Sequence, residues 1–295
     1  MPKTEAKVAN QKIVGRYAPS PTGAMHLGNL RTALLAWLQV RLQGGEFLLR
    51  MEDLDTPRVV EGSAQQILND LEWLGLDWDG EVIYQSQRLS LYQEALDFLD
   101  DKQLIYPCYC SRKDIQLAAS APHTHAGVYS GLCRNLSPEQ AMKKAQQKTP
   151  ALRFKVTGDL ARTCGDFVVK RADDLFAYQL AVVVDDLEQG VTHVLRGQDL
   201  ANSTERQLYL AKVLEPKLTP IHYTHVPLML DESGVRLSKR DGSLSVNEYI
   251  SQGKNAEALI GEFALELGFI GSFKPISAQQ LLVLLQGVDD VSIFY

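Results

Sequence analysis

A doubly wound parallel α/β sheet with an inserted α+β segment is the fold class that three features of this chain predict. Strand-like and helix-like segments alternate from residue 13 to residue 99, an unbroken apolar run returns at residues 180–184, and between them a cysteine- and histidine-bearing stretch interrupts the rhythm.

In chain order, Ile13 to Ala18 reads as a short buried strand. Leu30 to Leu42 reads as a helix because Leu30, Leu34, Leu35, Trp37 and Leu38 recur at helical spacing. Strand Glu46 to Met51, helix Ala64 to Leu74, strand Val82 to Tyr84 and helix Leu89 to Leu99 continue the βα repeat. From Tyr106 the pattern breaks, with a polar helical segment at Pro138 to Gln147 followed by short strand-like pieces with Asp and Gly turns. The run Leu180 to Val184 suits a central strand covered on both faces, and a helix follows at Ala201 to Leu214. Two apolar helical stretches, Ala256 to Leu267 and Ala278 to Leu285, complete the chain.

The 295 residues, 45% of them hydrophobic, suffice for a real core in one large domain or two modest ones. No stretch reaches the about 18 consecutive apolar residues of a membrane helix, and the opening MPKTEAKVANQK lacks the apolar centre of a signal peptide. A cytoplasmic monomer with no membrane contact is therefore expected. The net charge of −6 argues against broad attraction to a phosphate backbone but leaves room for a local basic patch. Of the four cysteines, Cys108, Cys110 and Cys133 lie close in sequence, which suits reduced thiols or a metal site better than a disulfide framework. Three soft ligands in a short insertion point to a tetrahedral Zn2+, and His123 and His125 lie in the intervening loop. Cys164 lies apart and reads as a buried thiol.

Two stretches carry phosphate chemistry. In "GRYAPSPTGAMHLGNL" two prolines and Gly23 shape a turn, and His26 and Gly28 fall where a new helix exposes unpaired N–H groups, an anion site to which the imidazole adds a donor. In "RLSKRDG" a loop groups Arg236, Lys239 and Arg240 around Ser238, which suits charge developing on a phosphate leaving group. A surface turn and a charged loop would explain either stretch alone; together they are harder to assign to chance.

With these residues in view, "HLGNL" resembles the HIGH motif and "RLSKR" the KMSKS motif of class I aminoacyl-tRNA synthetases, and "RMEDLD" and "VLRGQDL" add a resemblance to the glutamyl branch over Ile13 to Val246. Departures occur at Asn29, Arg236, Leu237 and Arg240. The resemblance implies a Rossmann-type fold in which His26, Gly28 and Asn29, with Arg236, Ser238 and Lys239, hold ATP and its Mg2+. It also implies that Lys239 stabilises departing pyrophosphate. L-glutamate would be held by Arg16, Tyr17, Ala18, Pro19 and Ser20 with Tyr178 and Arg196, and its ammonium by Glu52. Arginine's planar fork suits a carboxylate. Each of these has a structural alternative: an ion pair for Arg16 or Arg196, core packing for Tyr178, a charge cluster for Glu52.

"CYC…YSGLCR" and the roughly fifty residues left after the KMSKS-like loop resemble the glutamyl-Q tRNA(Asp) synthetases. That resemblance implies Tyr129 as fourth zinc ligand, with His125 in reserve. It further implies glutamate activation without tRNA, and transfer to the cyclopentenediol of queuosine in the anticodon stem-loop of tRNA(Asp). The expected divisions are residues 1–105 and 176–245 for the catalytic domain, 106–175 for the zinc-bearing insertion, and 246–295 for a helical stem-contact-like region without an anticodon-binding domain. A truncated glutamyl-tRNA synthetase and a non-enzymatic zinc- and nucleotide-binding module are the competing readings.

Overall fold

The computed structural model describes residues 12–111, 113–115, 128–229 and 245–287. The chain begins β1 (Val14–Tyr17), α1 (Leu27–Arg41), β2 (Glu46–Met51), α2 (Ser63–Trp73), β3 (Ile83–Tyr84) and α3 (Leu89–Asp101). Next come β4 (Ile105–Cys108), α4 (Pro138–Ala145), β5 (Ala151–Phe154), the single turn α5 (Leu160–Thr163) and β6 (Phe167–Lys170). Then follow α6 (Tyr178–Glu188), β7 (His193–Gly197), α7 (Thr204–Leu214) and β8 (His222–Val226), and last α8 (Val246–Ser251), α9 (Ala256–Glu266) and α10 (Ala278–Gln286).

Five strands form one parallel sheet in the order β3-β2-β1-β7-β8. All four residues of β1 are buried, as a strand flanked on both edges and covered on both faces requires. Alternate side chains serve opposite faces: Phe47 and Leu49 join Tyr17 under α1 and α2, whereas Val14 and Leu48 meet Val194 and Ile221 on the other side. Helix α1 buries Leu30, Leu34 and Leu38 completely, one turn apart along a single stripe. Helices α8, α9 and α10 pack Tyr249, Phe263 and Leu281 into that same core, so the C-terminal helices close over α1. The segments β4, β5 and β6 make a separate antiparallel sheet.

One expected strand is a helix. Residues Leu180 to Val184 lie in α6, where Leu180, Ala181, Val182 and Val183 are all buried against α3, α7 and β6. A short, continuously apolar run satisfies a helix enclosed all round as well as a central strand, and periodicity does not separate the two. The central position falls to β1, with β7 beside it. The polar strand β8, HYTHV, carries almost no apolar alternation and was not anticipated. No described helix is long and apolar enough to cross a membrane.

Helix α1 approaches β1 so closely at Gly15 that a methyl group there would overlap Val40 Cγ2 and lie 3.3 Å from the His193 carbonyl oxygen. Gly15→Ala is expected to destabilise the protein by about 1–3 kcal/mol, because α1 and β7 are both fixed by the sheet. Urea unfolding of the two proteins measures this; equal midpoints would contradict the close approach.

Candidate functional site

The candidate residues gather at the carboxyl ends of the parallel strands, at the point where the chain leaves β1 for β2 on one side and β7 lies on the other. In open α/β sheets this is where ligands bind, because the loops diverge there. Arg16 comes from β1, Glu52 follows β2, Arg196 comes from β7, and Tyr178 opens α6.

The first wall is the start of α1. His26 is its N-cap, in extended conformation. The His26 N–H donates to Asn29 Oδ1 at 3.2 Å, so Asn29 caps the same turn that exposes the helix's N–H groups. Gly28 has a packing reason, since a Cβ there would sit 3.1 Å from both Cε1 and Nδ1 of the His26 ring. The preceding turn is pinned from two elements. The Glu52 N–H donates to the Pro19 carbonyl at 2.9 Å, while the Ser63 hydroxyl exchanges hydrogen bonds with both the N–H and the carbonyl of Gly23.

The second wall is a buried charge cluster. Asp186 accepts from Arg16 Nε at 3.2 Å and Nη2 at 3.4 Å, and from Arg50 Nη2 at 2.7 Å. Its neighbour Asp185 accepts from Arg88 Nε at 2.7 Å, Gln85 Nε2 at 2.8 Å and the Tyr92 hydroxyl at 2.9 Å. Asp186 uses one edge of the Arg16 fork, and Nη1 has no hydrogen-bond partner among the described residues. Arg196 donates to Gln207 at 2.6 Å, Thr204 at 2.9 Å, the Leu200 carbonyl at 3.2 Å and His225 at 3.3 Å, and lies 4.7 Å from the centre of the Tyr223 ring. Arg50 lies 3.9 Å from Glu52.

These groups shift one another. Burial opposes the Arg16 charge, but the fields of Asp186, Tyr178 and Glu52 outweigh it and hold the guanidinium above its usual pKa. Burial likewise opposes the Asp186 charge, and Arg16 and Arg50 reverse the effect and keep it ionised. Glu52 goes the other way: burial pushes its carboxyl up to about 7, against the pull of Arg50 and Arg16. Burial also lowers Arg196 and raises Tyr178.

A third cluster lies in the inserted segment. The Sγ atoms of Cys108, Cys110 and Cys133 all fall within 4.8 Å of one another. The Tyr129 hydroxyl is 3.3 Å from Cys108 Sγ and 3.4 Å from Cys110 Sγ, and Cys110 and Cys133 are 3.5 Å apart. Arg153 donates from Nε to Cys108 Sγ at 3.2 Å and stacks 3.8 Å over the Tyr129 ring.

The family model for class I tRNA synthetases (E and Q), catalytic domain, matches residues 12–270. The chain belongs to this family. A glutamyl-Q tRNA(Asp) synthetase of Nocardia farcinica is 48% identical over 266 residues, covering 86% of this chain and 84% of that protein. One from Symbiobacterium thermophilum is 43% identical over 296 residues, covering 92% and 91%. The crystal structure of glutamate-tRNA synthetase from Elizabethkingia anophelis superposes with a TM-score of 0.74 at 28% identity; this chain is covered to 92% and spans 65% of that one.

Of the residues that the class I synthetase resemblance singles out, the structure brings Arg16, Glu52, Tyr178 and Arg196 within one another's electrostatic reach, and His26, Gly28 and Asn29 onto one helix start. The Tyr17 hydroxyl is taken up elsewhere, donating to the Asn29 carbonyl at 3.2 Å within the α1 core. Ala18, Pro19 and Ser20 form the strand-to-turn exit. His123, His125, Arg236, Leu237, Ser238, Lys239 and Arg240 lie outside the described residues. The residues on either side of 230–244 border the start of α1: Ser245 bridges His26, and Met229 Cβ lies 3.9 Å from where a Gly28 Cβ would stand. Sequence reasoning missed Asp186, Gln207, Tyr223 and His225. For Asp186 a signal existed, since two adjacent carboxylates inside a buried apolar run demand partners.

The Glu52 carboxyl has a consequence for stability. Its pKa is about 7 folded against an ordinary value of 4.5, so the folded state holds the proton more tightly. That contribution is complete below 4.5 and is lost as pH rises through about 7. Glu52→Gln should therefore gain stability relative to the parent between about pH 5 and about pH 7 and hold a constant difference above. Urea unfolding of both proteins without substrate across that range checks it; a pH-independent difference would remove the assigned shift.

Proposed function

We propose that the protein, as a cytoplasmic monomer, activates L-glutamate with ATP and Mg2+ without RNA. It then transfers the glutamyl group to the queuosine base at the wobble position of tRNA(Asp). The observation that carries this reading is the convergence of Arg16, Glu52, Tyr178 and Arg196 at the strand ends. Around them Arg16, Arg50, Arg88 and Arg196 oppose Asp185, Asp186 and Glu52, one net positive charge with Glu52 ionised. L-glutamate brings one net negative charge, two carboxylates and an ammonium, and so balances the cluster.

In this reading Arg16 Nη1 and Arg196 take the carboxylates, Tyr178 donates its hydroxyl, and Glu52 receives the ammonium, whose arrival lowers the Glu52 pKa. A glutamate α-carboxylate oxygen attacks the α-phosphorus of ATP, forming glutamyl adenylate as pyrophosphate leaves. Catalysis is positioning and charge neutralisation. His26, Gly28 and Asn29 present the α1 N-terminus to the phosphates, and we assign Arg236, Ser238 and Lys239 to the leaving pyrophosphate. The acceptor is that of the glutamyl-Q tRNA(Asp) synthetases to which this chain is similar.

Zn2+ belongs to the same proposal, with Cys108, Cys110, Cys133 and Tyr129 as ligands. Tetrahedral thiolate sites have Zn–S distances near 2.3 Å and hence S–S edges of roughly 3.8 Å. The thiol spacing here fits that size, and Arg153 is placed to hold Cys108 by a hydrogen bond to its sulfur. The ion would brace the insertion, with no open position for chemistry. The division into residues 1–105, 106–175, 176–245 and 246–295 is supported by the separate sheet β4-β5-β6, whose first strand starts at Ile105, one residue ahead of the expected boundary, and by the helices α8 to α10.

Two experiments test this. Protein incubated with labelled glutamate and ATP should catalyse glutamate-dependent pyrophosphate exchange without RNA, and should label queuosine-containing tRNA(Asp) from which the terminal CCA has been removed. Label appearing only on intact tRNA(Glu) would favour a truncated glutamyl-tRNA synthetase, and no exchange at all would favour a non-enzymatic module. Separately, metal analysis should find one zinc per chain, reduced in Cys110→Ser together with an earlier thermal unfolding of the insertion; a parent protein free of zinc would refute the site.

A further inference from the structure

A cavity of about 320 Å³ lies between the inserted segment and the N-terminal end of α6. Tyr129, Arg153 and Val168 line it from the insertion side, and Tyr178, Gln179 and Arg206 from α6 and α7. Tyr178 belongs to both places, since it lines this cavity and lies in the field of Arg16, Glu52 and Arg196. The cavity therefore adjoins the position where an activated glutamyl carbonyl would be held.

Its size and lining restrict the occupant. Ligand sites run from about 300 to 1,000 Å³, so this one is at the small end and admits a single nucleoside-sized group, with no room for a run of backbone. Two guanidinium groups bring its uncommitted donors. Arg206 gives Nε to Cys164 Sγ at 3.2 Å and Nη2 to the Cys164 carbonyl at 3.1 Å; Arg153 gives Nε to Cys108 Sγ and Nη1 to the Asp166 carbonyl at 2.9 Å. Among the described residues, Arg206 Nη1 and Arg153 Nη2 have no partner, whereas both Gln179 amide atoms are already bonded, to Ser203 and Gln207. Donors on planar groups, without a partner among the described residues, suit an unstacked base from an RNA loop, whose edges and hydroxyls accept hydrogen bonds and whose face stacks on guanidinium planes.

We propose that this cavity receives the acceptor nucleoside, with Arg206 gripping it and Val168 bounding the space that the base fills. The inference rests on the acceptor read above. With the base seated, one diol oxygen forms an ester bond to the glutamyl carbonyl carbon and the bond from that carbon to the phosphate oxygen breaks. AMP leaves with the electron pair, and the hydroxyl proton passes to its phosphate. No polar atom of the activation site is used for this grip.

The test separates the two half-reactions in the full-length protein. Pyrophosphate exchange without RNA and glutamate transfer to queuosine-containing, CCA-less tRNA(Asp) are measured for the parent, Val168→Trp, which fills the space, and Arg206→Gln, which removes the charge. Exchange should stay within about twofold in both variants, while kcat/KM for the RNA falls by at least about tenfold, mainly through KM for Arg206→Gln. Unchanged transfer in both variants, with the parent active on this RNA, would overturn the cavity assignment alone. An equal loss of exchange and transfer would overturn it too, by revealing a general structural role. A parent that performs exchange yet never labels this RNA would overturn the acceptor reading and the cavity assignment with it.

Discussion

The buried pairing of Asp186 with Arg16 and Arg50 is the constraint on which the site depends. Three elements far apart in sequence meet there: β1 and β2 supply the arginines, and α6 the carboxylate. Arg50 is completely buried and Asp186 nearly so, a costly arrangement unless every charge is matched. The adjacent Asp185 repeats the device with Arg88, Gln85 and Tyr92, tying α6 to α3 and the turn before it. Removing any one partner would strand a charge in the core. The network therefore fixes the rotation of α6 about its axis, and that rotation sets where Tyr178 points at the helix start.

The same network sets the chemistry available at the strand ends. With Asp186 holding one edge of Arg16, the guanidinium is oriented before substrate arrives, so little rotamer freedom remains to be lost on binding. Burial that strengthens these pairs also raises Glu52 to about 7, leaving the site responsive to a cation. An ammonium ion restores Glu52 to the carboxylate form, and an amino-acid side-chain carboxylate answers the arginines. In the proposed function, selectivity for a dicarboxylic amino acid follows from a cluster charge that is incomplete without it.

Legibility in the sequence varied with the kind of constraint involved. Helix α1 and strand β2 were readable because leucines at helical spacing and an apolar strand each have a single good interpretation. Helix α6 was not, since its Leu180 to Val184 run is enclosed on every face and carries no polar side to reveal its period. Strand β8 was hidden for the opposite reason: HYTHV is nearly all polar, and its Tyr223 and His225 face Arg196 because alternate strand residues share a side. At the site, Arg16, Glu52, Tyr178 and Arg196 were named through a family resemblance. Of the partners that orient them, Gln207 left no spacing to read, because a long-range hydrogen bond has none, and Asp186 left only the adjacency of two carboxylates at the end of an apolar run.

In the proposed function the cysteine cluster bears on the acceptor cavity and supplies no group to the activation site. Tyr106, Cys108, Tyr129 and Cys133 form their own small core, distinct from the one beneath α1 and from the one around α6. From that core Arg153 reaches both the Cys108 sulfur and the Asp166 carbonyl, and Asp166 is in turn held by Arg134 and Tyr106. Order around the thiols is thereby transmitted to the cavity wall through two residues. The charged groups of the proposed glutamate site, by contrast, come from strand ends and α6, with no member in the insertion. In the proposed function the charged groups of the activation site owe nothing to the insertion, whereas the cavity joins Tyr129, Arg153 and Val168 of the insertion to Tyr178, Gln179 and Arg206 of α6 and α7, so changes at the insertion side reshape the acceptor's seat while leaving those charged groups in place.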